Sequence, residues 1–165
     1  MRLLLSAVLS LLLAGCSLFA ANRETDFEAA PVAAAPAPVT ATATDPRAEA
    51  DAAFAHRDER ASLEHALAAY EQLVAADPAS IELHVVLARG TYFLADGHLR
   101  GDKEAQERAF NKAIAWGERC MALDAGFKAK VAGGAKPDEA ARVLAKPYAG
   151  CVYWAAAALG KWASL

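Results

Sequence analysis

The side chains with nucleophilic or ligating chemistry are few here, and their spacing decides what they can do. The cysteines are Cys16, Cys120 and Cys151, and the histidines are His56, His65, His84 and His98. Neither Cys-x-x-Cys nor His-Glu-x-x-His occurs, so the spacing that presents two zinc ligands from one turn or helix face is missing. Beyond Cys16 the serines are Ser17, Ser62, Ser80 and Ser164. None sits in Gly-x-Ser-x-Gly, the tight turn that exposes a hydrolase nucleophile. Gly133-Gly134-Ala135-Lys136 lacks the Gly-x-x-x-x-Gly-Lys-Ser/Thr spacing of a phosphate loop and reads as a turn before Pro137. The acidic pairs Asp58-Glu59 and Asp138-Glu139 fall at helix starts, where the helix dipole favours them. No catalytic residue, metal or cofactor is expected.

Cys16 is different, because its neighbours give it a chemistry. Met1-Arg2 is a short positive start, and Leu3 to Leu13 is a largely apolar run of eleven residues. That run is too short for a mature span, which needs about 20 residues, and has the length of a signal-peptide core. Leu13-Ala14-Gly15-Cys16 then places small residues before a thiol. This resembles a bacterial lipobox, in which the cysteine accepts the lipid. The resemblance implies a signal peptide over residues 1–15, a lipid membrane contact through acylated Cys16, and an outer-membrane site facing the periplasm. Ser17 stands where a retained inner-membrane lipoprotein has aspartate.

Residues 16–45 read as a tether. From Ala29 to Pro46 the chain runs AAPVAAAPAPVTATATDP, with prolines 31, 36, 38 and 46 and almost no large apolar residue. Too little apolar surface is present to offset the ordering entropy. Such a segment reaches about 30 Å as a coil and up to about 90 Å extended.

The elements that must position everything else begin at Pro46. The whole chain contains 44 alanines in 165 residues, and alanine is the best helix former with the least bulk. Hydrophobic periodicity predicts helices over 47–57, 61–76, 81–96 and 103–123, a looser stretch after Asp124, a brief helix from Pro137 to Lys146, and a last helix from Pro147 to Leu165. The net charge of −3 and the lack of a basic stripe exclude a nucleic-acid binder, which needs clustered Lys/Arg to neutralise phosphates.

The chain also repeats itself. Ala66 to Pro78 aligns with Ala113 to Ala125, with identity at Ala66/Ala113, Ala68/Ala115, Glu71/Glu118, Ala75/Ala122 and Asp77/Asp124. Ala66, Tyr70 and Pro78 have the spacing of the second helix of a tetratricopeptide unit, about 34 residues long. The next unit then starts at Ile81, with Leu87-Ala88 in agreement and His84 and Thr91 departing from the consensus aromatics. The expected fold is all-α over residues 46–165, with antiparallel tetratricopeptide-like helix pairs stacked in a short right-handed array. An ordinary helical bundle is the alternative.

A lipobox, a Pro/Ala tether, the helix LARGTYFLADG from Leu87 to Gly97, and Tyr153-Trp154 followed by Leu159-Gly160 and Trp162 occur together. This combination resembles the T component (TatT) family of tripartite ATP-independent periplasmic (TRAP) transporters, over residues 48–165. The resemblance implies a lipoprotein that docks a periplasmic solute-binding protein, with self-association left open. A carrier of a small hydrophobic ligand in its own groove, or a structural envelope lipoprotein, are the alternatives. Family members continue with further helix pairs, which implies a shallower groove here.

In tetratricopeptide pairs the first helix lines the groove, and the register from Ile81 assigns Glu82, Val85, Arg89, Tyr92 and Phe93 to it. Arg89 offers a planar fork for a carboxylate, and Tyr92 and Phe93 offer rigid aromatic area. Trp116, Trp154 and Trp162 are expected mainly in the core, with ligand contact by Tyr153 and Trp154 as the rival. In an oxidising compartment Cys120 and Cys151, on helices expected side by side, form either a disulfide or two buried thiols.

Overall fold

The computed structural model describes residues 45–165. The signal peptide, Cys16 and almost all of the tether lie outside the described residues. Seven α-helices follow: α1 Pro46–Ala55, α2 Arg60–Ala76, α3 Ile81–Phe93, α4 Lys103–Met121, α5 Ala125–Ala132, α6 Pro137–Ala140 and α7 Ala149–Trp162. The described part is all-helical.

Local chemistry sets the helix starts. Asp45 accepts the amide of Arg47 at 2.9 Å, ahead of Pro46 at the first helical position. Ser80 accepts from Leu83, Asp102 from Ala105 and Asp124 from Phe127. Each bond satisfies an amide that the helix leaves without an internal partner.

Four elements differ most from expectation. The third helix ends as an α-helix at Phe93, and Leu94–His98 continues it as a π-helical turn. The stretch after Asp124 is helical as α5, because Asp124 caps it and the fully buried Phe127 anchors it. The helix from Pro137 holds only to Ala140, and Ala141–Val143 and Lys146–Tyr148 form 3-10 turns. α7 begins at Ala149 rather than Pro147, after the turn that contains the proline.

Successive helices pack as neighbours: α1 on α2, α2 on α3 and α3 on α4, while α7 lies against both α3 and α4. Tyr70, Leu63, Leu87 and Phe54 fill the core between α1, α2 and α3. A second cluster, with Phe127, Met121, Cys120 and Cys151, joins α4, α5 and α7. A third, around Phe110 and Ile114, joins the far ends of α4 and α7 to the π-helical turn.

Alanine and glycine set the closest approach. A Cβ added at Gly117 of α4 would lie 2.7 Å from the Ala155 Cβ and 2.9 Å from the Cys151 carbonyl oxygen of α7. These two helices therefore meet nearly backbone to backbone. Trp116 is buried, whereas Trp154 and Trp162 are only half-buried, so the tryptophan expectation holds fully for the first alone.

Candidate binding site

A cavity of about 710 Å³ opens between α1, α3 and α7, with Tyr70 of α2 contributing to its wall. Its apolar lining is Phe54, Val85, Val86, Phe93 and Trp154, and its charged lining is Arg47, Asp51, Arg57, Glu82 and Arg89. Small-molecule sites commonly span about 300–1,000 Å³ with this mixture of an apolar surround and a few polar groups.

Helix periodicity explains the lining. Arg47, Asp51 and Phe54 fall at i, i+4 and i+7 along α1, and Glu82, Val85, Val86, Arg89 and Phe93 make the corresponding stripe on α3. Of the five α3 residues expected to line a groove, Glu82, Val85, Arg89 and Phe93 line this cavity. Tyr92 does not. Its ring packs 5.8 Å from Phe110 and 5.6 Å from Trp154, on the side of α3 facing the third cluster.

The α7 pair also divides. Trp154 lines the cavity and packs edge-on against Phe93 at 5.5 Å. Tyr153 is 63% exposed, outside the cavity, with its ring against Trp154.

The charges are unevenly satisfied. Arg47 donates through Nε to Asp51 at 3.0 Å and through Nη2 to Glu82 at 2.5 Å. The Tyr70 hydroxyl donates to the same Asp51 carboxylate at 2.5 Å. The Tyr70 hydroxyl chiefly holds the Asp51 carboxyl below its ordinary range; burial opposes this, and Arg47 adds to the lowering. Burial, then the Asp51 carboxylate, raises the Tyr70 phenol. The bond to Glu82 keeps Arg47 firmly protonated.

Arg57 and Arg89 form no such network. The Arg57 guanidinium has a 3.5 Å contact to the Phe54 carbonyl, and the Arg89 Nε is buried without a hydrogen-bond partner. Both guanidiniums stand over the Phe54 ring, at 5.5 Å and 5.0 Å from its centroid. Cation–π attraction of about 0.5–1 kcal/mol holds each there. It does not replace a missing acceptor, for which the cost is about 1–3 kcal/mol.

A neighbouring hollow of about 500 Å³ shares Ala55, Arg57 and Phe93 with the first and continues to His98 and Arg100 on the far side of the π-helical turn. His98 Nε2 lies 2.9 Å from the Arg57 carbonyl oxygen. The extra residue of the π turn thus re-aims the end of α3 toward the α1–α2 connection.

Sequence reasoning missed Arg47, Asp51, Phe54, Arg57 and Tyr70. For Asp51 alone a signal exists: moving Val85 and Arg89 back by one unit of about 34 residues gives Asp51 and Ala55, both of which line the cavity.

Cys120 and Cys151 are disulfide-bonded, with Cα atoms 5.7 Å apart and both residues fully buried. Among the described residues, no group of three or more His, Cys, Asp or Glu is placed to hold a metal ion, and no helix is long and apolar enough to cross a membrane.

No known family model matches the chain, and comparison with curated proteins finds none that matches it. Over the described residues, the fold and the cavity define an all-helical unit with a recessed, arginine-bearing site over aromatic rings.

Proposed function

We propose that this chain is a lipid-anchored binding module of the TRAP T-component type, whose groove along α1, α3 and α7 docks a periplasmic solute-binding protein. The observation supporting this reading is the convergence of Glu82, Val85, Arg89 and Phe93 with α1 and Trp154 on one cavity. The groove register of a tetratricopeptide unit selects those α3 positions, and the succession of packed helices is compatible with helix pairs stacked in a short right-handed array. An arginine beside aromatic rings is the usual composition of an interaction hot spot. In this reading acylated Cys16 holds the module at the outer membrane and the tether carries the groove into the periplasm.

The test is capture of a candidate solute-binding protein by the full chain and by Arg89→Glu and Phe93→Ala variants that melt cooperatively. Reversing one charge or removing one aromatic anchor at the centre of a contact is expected to weaken capture at least about tenfold, corresponding to about 1.4 kcal/mol. Undiminished capture by both variants overturns docking through this groove.

A second reading, a carrier of a small ligand in the same groove, is favoured by the cavity's volume and by the buried Arg89 nitrogen that no protein group satisfies.

A further inference from the structure

We propose that the α1–α3–α7 cavity binds a small organic acid, a single carboxylate on a compact aromatic body, with Arg57 and Arg89 receiving the carboxylate. This deepens the small-ligand reading of the same cavity. The charge arrangement leads to it. Arg47, Arg57 and Arg89 face Asp51 and Glu82 in the lining, leaving one net positive charge. Both carboxylates are engaged by Arg47, and Asp51 also accepts from Tyr70. Arg57 and Arg89 therefore form the positive end of the lining, opposite the Arg47–Asp51–Glu82 cluster.

There, the Arg57 and Arg89 guanidiniums each stand over the Phe54 ring, and neither has a carboxylate partner among the described residues. A planar anion bound in the cavity that both arginines line accepts charge-assisted hydrogen bonds from their forks. It also offers an acceptor at the site where the buried Arg89 Nε has none. Over the whole lining the net single positive charge balances a monoanion, which favours a carboxylate over a doubly charged phosphate monoester.

The remainder of the lining specifies the body of the ligand. Phe54, Phe93 and Trp154 present three rings to one space, with Val85 and Val86 between them. Aromatic groups pack on such rings by offset or edge contacts, which reward a flat ring more than a flexible chain. Arg57 is exposed at the mouth, whereas the Arg89 nitrogen is recessed.

The experiment is calorimetric titration of the purified full chain with 4-phenylbutyrate, its primary amide and phenyl phosphate. Arg57→Gln and Arg89→Gln are measured alongside, after their thermal transitions have been compared with the parent. Arg57 is exposed and outside every core cluster, so its variant keeps the test informative if Arg89→Gln folds poorly. The acid is expected to bind at least about tenfold tighter than the amide, because only the acid pairs with guanidinium. Each variant is expected to lose most of that preference while its affinity for the amide stays unchanged.

Equal binding of acid and amide overturns the proposal, as does a full acid preference retained by both variants, or no binding of the acid. Tighter binding of phenyl phosphate overturns the monoanion assignment. Failure of this titration, with capture of the solute-binding protein still sensitive to Arg89→Glu, removes the organic acid and leaves docking intact. Binding of the acid without that sensitivity removes docking alone.

Discussion

His84 couples the interior of α3 to solution pH. Its ring is buried beside Trp116, 5.7 Å between centroids, and its Nδ1 lies 2.8 Å from the Ser80 carbonyl oxygen. Burial disfavours the imidazolium and pulls the pKa below its ordinary value, with the Arg119 charge acting in the same direction and the Ser80 contact and Asp77 opposing it. A depressed folded-state pKa means that the unfolded chain takes up the proton first. The contribution to stability is thus complete above the unfolded value of about 6.5 and is lost as pH falls through the folded value. The urea midpoint is expected to decline between about pH 7 and pH 5, and His84→Leu should flatten that decline. Parallel declines in the two proteins would assign the effect to other groups. Toward the opposite extreme, the raised Tyr70 phenol keeps its contribution until pH rises past about 10.

The helices meet through small residues, and two glycines test this at the scale of the element. Gly117 faces the α7 backbone so closely that a methyl group cannot be placed without separating α4 from α7. Gly117→Ala is therefore expected to destabilise by about 1–3 kcal/mol through overpacking, outweighing a gain of about 1 kcal/mol in helix propensity. Gly160, also helical, has nothing within 4 Å of its added Cβ. Gly160→Ala should stabilise by about 0.5–1 kcal/mol. Chemical denaturation of the two variants checks the contrast, and equal effects of the same sign would contradict close packing as its cause.

This contrast also marks what the sequence could reveal. Periodicity in Leu63, Ala66, Leu67, Tyr70 and Val74 was enough to place α2, because all five face one core. It could not separate Gly117 from Gly160, since that difference lies in which helix packs opposite. The register from Ile81 picks out four α3 residues, Glu82, Val85, Arg89 and Phe93, that line one cavity. Tyr92, at the edge of the α3 stripe, lies outside this cavity with its ring against Phe110 and Trp154, a placement that depends on which helix packs opposite. Helix α5 was missed because its glycine and lysines blur the pattern, while a single cap and one buried phenylalanine suffice to form it.

At the scale of the whole molecule, the Cys120–Cys151 bond ties down the part with the least core of its own. The bond spans 31 residues and encloses α5, α6 and the 3-10 turns. Within α5, α6 and the 3-10 turns, Phe127 and Ala140 are the only buried residues. α4 and α7, which carry the cysteines, are held independently by their extensive mutual packing. Closing a loop of this length is worth about 3–4 kcal/mol on the chain-entropy model. That amount is a large fraction of the 5–15 kcal/mol typical of a domain. Loss of the bond should therefore loosen residues 122–148 well before it separates α1, α2 and α3, whose core lies elsewhere. Hydrogen exchange on the chain before and after reduction is expected to show faster exchange confined largely to residues 122–148, with the amides of α2 and α3 protected almost as before. Uniform acceleration would mean that the bond stabilises one cooperative unit, and unchanged exchange would mean that packing alone holds the loop. Alkylation of both thiols in denatured protein that was never reduced would remove the bond from the account altogether.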